Sequence, residues 1–208
     1  MLLDLRKLQL IHKYKFFGVI HVGAHHGQER KIYDDLEIPK SNRYYFEPLA
    51  RNFKVLTENA YPEENYFNFA LGAENKKVNM FVEDNNQSQS SSILKPKLHL
   101  DQYPHIIFDQ TEEVCMKRID DLGIDFLSNL IVLDIQGYEL EFFKGANRLL
   151  NQIDFILSEI NREELYENCA QVDELDEYLK KFGFSRVFTD WAGGNWGDAF
   201  YMRKTRAL

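Results

Sequence analysis

Two acidic residues, Glu47 and Asp134, each follow a short apolar run that is typical of a buried strand. In open α/β proteins, ligands bind beyond the carboxyl ends of the strands, so an acid at that position is placed to contact a ligand. A carboxylate there also needs a partner, because the burial of an unpaired charge is costly. Taken singly, either residue could instead belong to the start of the following helix, where the helix dipole favours an acid.

A loop with two glycines, Gly23-Ala24-His25-His26-Gly27, precedes Glu47. Its glycines permit a tight turn and a close backbone approach, and the N-terminus of the helix that follows offers free N–H groups. An acid about twenty residues after such a loop can accept hydrogen bonds from both hydroxyls of a ribose. The loop is not the dinucleotide motif G-x-G-x-x-G, because His25 stands where the second glycine would be.

Two later segments add candidates. Asn68-Phe69-Ala70-Leu71-Gly72 covers the end of another predicted strand and the loop after it, which offers a surface for an adenine ring. The longest segment begins at Asp134 with the residues Asp134-Ile135-Gln136-Gly137-Tyr138-Glu139. Asp134 is expected at the carboxyl edge of the sheet, although Asp134 or Glu139 could also cap the helix that follows.

The elements that must position these residues alternate between strand and helix. Apolar runs and alternation predict strands at 16–22, 43–46, 66–70, 78–82, 113–118, 130–135, 154–158, 184–190 and 198–202. Helical spacing predicts helices at 2–13, 28–36, 48–59, 119–122, 138–150 and 172–182.

This alternation predicts an α/β protein, with a mostly parallel sheet and helices on both of its faces. The last two strands are joined only by a short loop that contains Gly193, Gly194 and Gly197, so we expect them to pair antiparallel. A Rossmann-like sheet of seven strands with an antiparallel last strand is the architecture of class I S-adenosylmethionine-dependent methyltransferases.

The order of the motifs resembles the FkbM family of S-adenosylmethionine-dependent methyltransferases over residues 18–203. The segments that carry the resemblance are His21-Val22-Gly23-Ala24, Phe46-Glu47-Pro48, Ala70-Leu71-Gly72, Ser91-Ser92-Ile93-Leu94, Ile119-Asp120-Asp121-Leu122 and Asp134-Ile135-Gln136-Gly137-Tyr138-Glu139. The family usually has Asp where this chain has His21. The alternatives for His21 are a hydrogen bond with the amino group of the cofactor and a place in the core.

The resemblance implies S-adenosyl-L-methionine as the cofactor. The residues that it assigns to cofactor binding are His21, Gly23, Ala24, His25, Gly27, Glu29, Glu47, Pro48, Ala70, Leu71, Ser92, Asp134 and Gln136.

The resemblance also implies methylation of a hydroxyl on a sugar, a glycan or a glycosylated metabolite. A hydroxyl is a poor nucleophile at neutral pH, so we expect a general base, and the candidates are Asp134, Glu159 and His26. Asp134 could instead orient the cofactor or the substrate. Substrate contacts are predicted from the variable loop at 84–110 and the C-terminal loop, through Tyr103, Asn161, Arg162, Trp191 and Trp196. Trp196 could alternatively fill space in the hairpin.

Composition limits the other classes of protein. The chain has 208 residues, with 25 Lys and Arg against 33 Asp and Glu, which gives a net charge of −8. This acidity argues against a nucleic-acid partner. No apolar stretch reaches the length of a membrane span, and the spacing of the six histidines predicts no metal site. The distant pair Cys115 and Cys169 fits a reducing compartment, so we expect a cytoplasmic protein.

We expect one methyltransferase domain over residues 1–208, with residues 1–15 as a helical appendage that packs on the domain or forms a homodimer. Two other functions remain open from the sequence. The first is a catalytically inactive binding protein with the methyltransferase fold, which the departure at His21 suggests. The second is another Rossmann-type nucleotide-binding enzyme, which the missing glycine and the antiparallel ending disfavour.

Overall fold

Residues 2–58 and 60–204 are described by a computed structural model, and they form strands and helices in alternation. The strands are β1 (Val19–Val22), β2 (Arg43–Phe46), β3 (Asn65–Phe67), β4 (Ala70–Leu71), β5 (Lys76–Val82), β6 (Gln110–Lys117), β7 (Leu130–Leu133), β8 (Phe155–Asn161), β9 (Phe184–Ala192) and β10 (Trp196–Arg203). The α-helices are α1 (Leu5–His12), α2 (Arg30–Asp35), α3 (Ala50–Glu58), α4 (Leu98–Gln102), α5 (Glu139–Lys144), α6 (Asn147–Leu150) and α7 (Val172–Lys180).

Seven strands form the main sheet in the order β3-β2-β1-β7-β8-β10-β9. The pairs β3–β2, β2–β1, β1–β7 and β7–β8 are parallel, whereas β10 is antiparallel to both β8 and β9. The predicted fold class and the antiparallel hairpin at the end of the sheet are therefore confirmed. The chain runs outward from β1 to β3 and then resumes at β7 on the other side of β1. This reversal of strand order is where open α/β sheets bind ligands.

Helices cover both faces of the sheet because the side chains of its central strands alternate between two apolar clusters. Ile20 and Val22 of β1 pack in the cluster that α5, α6 and α7 complete. Val19 faces the other way, into the cluster that receives Leu5 and Leu8 of α1. The predicted N-terminal helix thus packs on the sheet through one face, while Leu10 and Ile11 on its other face are exposed.

The predicted strand at 66–70 is divided between two sheets. β3 belongs to the main sheet, whereas β4 pairs in parallel with β6 in a three-stranded sheet that β5 completes. The chain changes direction at Asn68, whose side-chain amide donates to the carbonyl oxygens of Glu47 and Pro48 at 2.9 and 3.0 Å. A local apolar pattern carries no information about this turn, because the partners of Asn68 come from another loop.

The predicted helix at 138–150 is two helices, α5 and α6. Gly145 lies between them, against the carbonyl oxygen of Gly72, and a Cβ at Gly145 would come within 2.0 Å of that oxygen. Asp120 caps α6 by accepting hydrogen bonds from the backbone amides of Arg148 and Leu149 at 2.7 and 3.0 Å. Packing against β4 and capping from a distant turn therefore divide the predicted helix.

The other boundaries differ by a few residues. The helix predicted at 48–59 begins at Ala50, after Pro48, and Asn59 lies outside the described residues. β8 continues to Asn161, so Glu159 lies within the strand rather than at its end. Cys115 and Cys169 are both free thiols.

Candidate active site

The strand register aligns five residues across one edge of the main sheet. The last residue of β1 is level with the last residues of β2 and β7, and the last residue of β7 is level with Ser158 of β8. The residues that follow these positions therefore lie side by side at the edge of the sheet. In β10, Asp198 lies opposite Glu159 of β8. This edge row consists of Glu47, Gly23, Asp134, Glu159 and Asp198.

Gly23 allows the loop after β1 to pack closely against the backbone of Asp134. It has a φ of 78°, and a Cβ at this position would lie 1.8 Å from the backbone oxygen of Asp134. The backbone amides of Gly23 and Ala24 both donate to the Phe46 carbonyl oxygen at 3.0 Å. The glycine loop is thereby held between β2 and β7, and Gly23 and Ala24 line a cavity at this edge of the sheet.

Glu47 is a buried acid whose partners are neutral. Its carboxylate accepts hydrogen bonds from the backbone amides of His25 at 2.9 Å and Leu49 at 3.0 Å, and from the Asn52 side chain. Burial raises the pKa of Glu47 to about 7, although these hydrogen bonds oppose the shift. The group therefore titrates near neutrality and gains from any further donor that contacts it. Asn52, in the first turn of α3, was not among the predicted site residues.

Asp134 and Glu159 form a carboxyl pair that Gln136 bridges. The side-chain amide of Gln136 donates to Asp134 Oδ1 at 2.8 Å and to Glu159 Oε2 at 2.9 Å. Burial, and then the nearby charge of Asp134, raise the pKa of Glu159 well above its ordinary value. Burial thus favours the protonated form of Glu159, which hydrogen-bonds with Asp134 through its side chain.

The loop that carries this pair is held in an uncommon conformation. Gln136 and Gly137 both have positive φ, at 54° and 94°. Glu139 Oε1 accepts hydrogen bonds from the backbone amides of Ile135 and Gly137 at 3.1 and 3.2 Å. Burial raises the pKa of Glu139 to about 7. Glu139 thus fixes the loop that presents Asp134, in addition to beginning α5.

Residues 84–92, the serine loop, close over the edge row. The buried Glu83 accepts hydrogen bonds from the backbone amides of Asn86 at 2.6 Å and Ser90 at 3.2 Å. The serine loop also contacts the glycine loop, since a ring nitrogen of His25 lies 2.6 Å from the Gln87 carbonyl oxygen. Ser92 Oγ donates to the carbonyl oxygen of Gln136 at 2.7 Å. The low-complexity tract is therefore an ordered wall.

An aromatic wall faces the serine loop from the other side. Trp196 Nε1 donates to the Tyr103 hydroxyl at 2.8 Å, and the ring of His99 lies 5.0 Å from that of Tyr103. His99 is buried, and burial lowers its pKa to about 4, so it is neutral. Residues of the predicted loop 84–110 and of the C-terminal hairpin thus meet. His99 and Asp198 were missed because neither occurs in a motif.

These surfaces enclose one cavity of about 560 Å³. The predicted site residues that line it are His21, Gly23, Ala24, His25, Glu29, Glu47, Pro48, Ala70, Leu71, Tyr103, Asp134, Gln136, Glu159 and Trp196. Its lining contains five acids and no Lys or Arg among the described residues. The tertiary structure therefore brings most of the predicted residues to one place.

Six predicted residues do not line the cavity. His26 stacks on His25 and hydrogen-bonds with Asn52, and Gly27 packs against Leu56 and Arg30. Ser92, the last residue of the serine loop, donates through Oγ to the Gln136 carbonyl oxygen. Asn161 is fully buried. The Arg162 guanidinium lies 3.7 Å from the ring centre of Trp191, so these two residues stack on each other.

His21 lies in the wall of the cavity and in the core at once. Burial lowers its pKa, so the ring is neutral. Its Nδ1 lies 3.1 Å from the Tyr33 hydroxyl, and its Nε2 lies 4.0 Å from Glu29 Oε2. His21 is therefore a buried histidine with a hydrogen-bond partner in the core, and its contact with the cofactor stays a prediction.

Residues 2–58 and 60–204 contain neither a cluster of metal-ligand side chains nor a helix that could span a membrane. No group of three or more His, Cys, Asp or Glu side chains could hold a metal ion. No helix is long and apolar enough to cross a membrane.

Comparison with known proteins places this fold among the Rossmann-like methyltransferases. Residues 21–186 match the model of the methyltransferase FkbM domain, and the chain belongs to this family. A curated relative, 2-O-methyltransferase NoeI from Sinorhizobium fredii (strain NBRC 101917 / NGR234), is 27% identical over 175 residues. The match covers 79% of this chain and 71% of that protein. The resemblance that the motifs indicated is therefore confirmed.

Solved structures agree on the fold. Methyltransferase FkbM from Methylobacillus flagellatus KT has a TM-score of 0.60 and 16% identity, and the match covers 89% of this chain. This chain spans 43% of the length of that protein. Magnesium protoporphyrin IX methyltransferase (ChlM) from Synechocystis PCC 6803, solved with bound SAM, has a TM-score of 0.50 and 11% identity over 96% of this chain and 76% of that one.

S-adenosylmethionine is the cofactor of this family, and the residues present fit it. The narrow turn at Gly23 lets the backbone approach a ligand closely, as a nucleoside site requires. Glu47 is a buried acid whose hydrogen-bond partners are all neutral donors, and its carboxylate is suited to accept hydrogen bonds from the hydroxyls of a ribose. The acidic lining is also compatible with a cationic sulfonium group.

Proposed function

We propose that this protein is an O-methyltransferase that transfers the methyl group of S-adenosylmethionine to a hydroxyl of a sugar, a glycan or a glycosylated metabolite. The observation that carries the proposal is the bridged pair Asp134 and Glu159 in the same cavity as Gly23 and Glu47. The curated 2-O-methyltransferase relative supports the choice of a hydroxyl acceptor.

In this proposal the cofactor lies along the β1–β2 side of the cavity. The backbone of Gly23 and Ala24 faces the nucleoside, and Glu47 accepts the ribose hydroxyls. Ala70 and Leu71, which form β4 at the cavity wall, supply an apolar surface for the adenine ring. The other predicted cofactor residues on this wall are His25, Pro48 and Gln136.

Asp134 is the proposed general base. The cofactor supplies an electrophilic methyl group, and the attacking hydroxyl must lose its proton as the oxygen bonds to carbon. Burial beside another acid raises the pKa of Glu159 and favours its protonated form, which cannot accept a second proton from the hydroxyl. Asp134 therefore accepts the hydroxyl proton, while Glu159 and Gln136 hold its carboxylate in place. His26 is directed toward Asn52 and is excluded from this role.

The aromatic wall supports an acceptor whose reacting unit is uncharged. Tyr103 and Trp196 offer a flat surface for a sugar ring, and His99 beside them is neutral. The absence of Lys and Arg from the described lining gives a phosphate or carboxylate no countercharge inside the cavity. We infer that any anionic part of the acceptor remains outside.

The experiment has two stages. Calorimetry with S-adenosylhomocysteine measures cofactor binding, and the purified protein is then incubated with S-adenosylmethionine and a panel of neutral, cationic and anionic glycans. We expect binding, and methyl transfer to a neutral glycan that Asp134→Asn abolishes and Glu177→Gln, an exposed control, retains. Transfer by Asp134→Asn at the wild-type rate would refute the assigned base.

A catalytically inactive binding protein is the second candidate, because His21 stands where relatives usually have an acid. It predicts cofactor binding and no methyl transfer to any member of the panel. The third alternative, a dinucleotide enzyme, is disfavoured by the family match.

A further inference from the structure

β1 contributes a histidine, His21, and no carboxylate to the cavity. This inference rests on the proposed function, because it concerns how the same site holds the amino-acid part of the cofactor. The positive amino group of that part needs an acceptor, preferably a charged one. His21 occupies the usual position, so its hydrogen-bonding capacity decides whether it can serve.

His21 can only donate toward the cavity. The Glu29 carboxylate, 4.0 Å from His21 Nε2, favours the tautomer that carries its proton on Nε2, and the Tyr33 hydroxyl, which burial keeps protonated by raising its pKa, can then donate to Nδ1 at 3.1 Å. A neutral ring that accepts at Nδ1 carries its proton on Nε2. Nε2 is therefore a donor and cannot accept a hydrogen bond from an ammonium group.

Glu29 is the carboxylate that faces this donor. Its Oε2 lies 4.0 Å from His21 Nε2, which is too far for a direct hydrogen bond, and both side chains line the cavity. Within residues 2–58 and 60–204, the Glu29 carboxylate makes no hydrogen bond. The other acids of the lining are engaged, since Glu47 and Asp198 accept from backbone amides and Gln136 bridges the pair of Asp134 and Glu159.

We propose that Glu29 accepts the amino group of the cofactor's amino-acid part, and that His21 is a positioning residue which holds its Nε2 proton toward Glu29. In this arrangement the negative charge for the amino group lies on the residue that precedes α2 and not at the end of β1. Tyr33 is compatible with this arrangement because its hydroxyl can donate to Nδ1 of His21.

Two probes separate this role from a structural one. S-adenosylhomocysteine carries the amino acid, whereas 5′-methylthioadenosine has the same nucleoside without it. For Glu29→Gln we expect calorimetry to show a loss of S-adenosylhomocysteine affinity of about 10-fold or more, the size of a charged hydrogen bond. Affinity for methylthioadenosine should change less than twofold. Glu37→Gln, an exposed neighbour beyond α2, should change neither.

The double variant His21→Asp with Glu29→Gln returns an acid to the end of β1 and should regain affinity for S-adenosylhomocysteine. Unchanged binding of S-adenosylhomocysteine by Glu29→Gln would overturn the proposal, and so would an equal loss for both probes. If the wild type binds neither probe, the proposed function itself fails. Wild-type binding of both, with Glu29→Gln unaffected, leaves that function intact and removes only this assignment.

Discussion

In the proposed site, the buried side chain of Glu47 couples cofactor binding to pH. Its carboxyl group is surrounded by neutral donors and has a pKa of about 7, so the free protein holds a mixture of both protonation states near neutrality. A ribose that donates two hydrogen bonds favours the ionised form. Binding should therefore release a proton from Glu47 whenever the pH is below that pKa.

We predict that affinity for S-adenosylhomocysteine rises about tenfold between pH 6 and pH 8, as expected for one group with a pKa near 7 that must be ionised. Glu47→Gln should bind at least tenfold more weakly at pH 8 and lose most of this pH dependence. Calorimetry at the two pH values measures both effects, with Glu113→Gln, an exposed acid, as the control. A variant that keeps the wild-type pH dependence would show that another group is responsible.

The raised pKa of Glu159 affects the stability of the fold, which it lowers as the pH rises. Its pKa is raised in the folded protein, so its contribution to stability is fully present below its ordinary value. That contribution is lost as the pH rises toward the folded-state pKa. The amide of Gln is neutral at every pH and can make the same contacts with Asp134 and Gln136.

We predict that Glu159→Gln is more stable than the wild type at pH 8, by about 1–3 kcal/mol, the range for a desolvated polar group. The difference should shrink at pH 5. Urea unfolding at both pH values measures it, with Glu177→Gln on the exposed face of α7 as the control. Equal stability of variant and wild type at pH 8 would mean that Glu159 is ionised without penalty.

At the scale of elements, the serine loop forms the wall of the cavity because Glu83 organises it. Two backbone amides of the loop donate to this one carboxyl group, and Ser91 Oγ accepts from the Glu83 amide at 3.3 Å. A serine-rich segment has little apolar area to bury, so we infer that polar contacts supply its order.

We predict that Glu83→Gln raises the rate of amide hydrogen exchange in residues 84–92 by about 10-fold, because each lost charged hydrogen bond costs about 1.5–3 kcal/mol. Exchange in β1 and β7 should be unchanged. Mass spectrometry resolves the two regions, and Glu113→Gln on the neighbouring β6 provides a matched acid-to-amide control. Uniform acceleration across the chain would indicate global destabilisation instead.

A buried ion cluster joins β2, α2 and the turn before β3. The fully buried Glu64 side chain lies 3.2 Å from the Arg43 guanidinium and 3.3 Å from that of Arg30. Arg43 is also buried, and its other acidic partner, Asp34 at 2.8 Å, is exposed, so the loss of Glu64 would leave the buried cations only partly compensated.

We predict that Glu64→Gln lowers the free energy of unfolding by about 3–5 kcal/mol, the usual cost of breaking a buried ion pair. Glu63→Gln, at the adjacent exposed position, should change it by less than about 0.5 kcal/mol. Denaturant titration measures both. A cost below 1 kcal/mol for Glu64→Gln would show that water or Asp34 compensates Arg43.

At the scale of the whole molecule, both apolar clusters meet on one sheet and the cavity spans its carboxyl edge. We propose that the chain unfolds as one cooperative domain, as the sequence predicts for residues 1–208. A ligand at the edge row should then stabilise every element.

We predict a single thermal transition that shifts upward with S-adenosylhomocysteine. Ligand at 100 times its dissociation constant adds about 2.7 kcal/mol, which corresponds to a shift of about 5–11 °C for a domain of this size. NAD, as a control nucleotide, should cause no shift. Two transitions of which only one responds, in calorimetric scans, would contradict a single unit.

The sequence by itself determined the kinds of elements and their order. Apolar runs at β1, β2 and β7 identify buried strands because strand patterns are local, and the acids after them follow from chain position. The motif order was sufficient to identify the family, including the departure at His21. These properties depend on residues that are near one another in the chain.

Tertiary structure decided register, protonation and partners. Only the alignment of β7, β8 and β10 makes Asp134, Glu159 and Asp198 neighbours, and burial beside Asp134 raises the pKa of Glu159. Likewise, Arg162 and Trp191 were predicted to contact substrate but stack on each other, because a side chain's face depends on the pleat and on distant strands. Pairing between distant segments and the loss of water around a group have no local signature in sequence. The chemistry of the site is therefore set by contacts that form only in the folded chain.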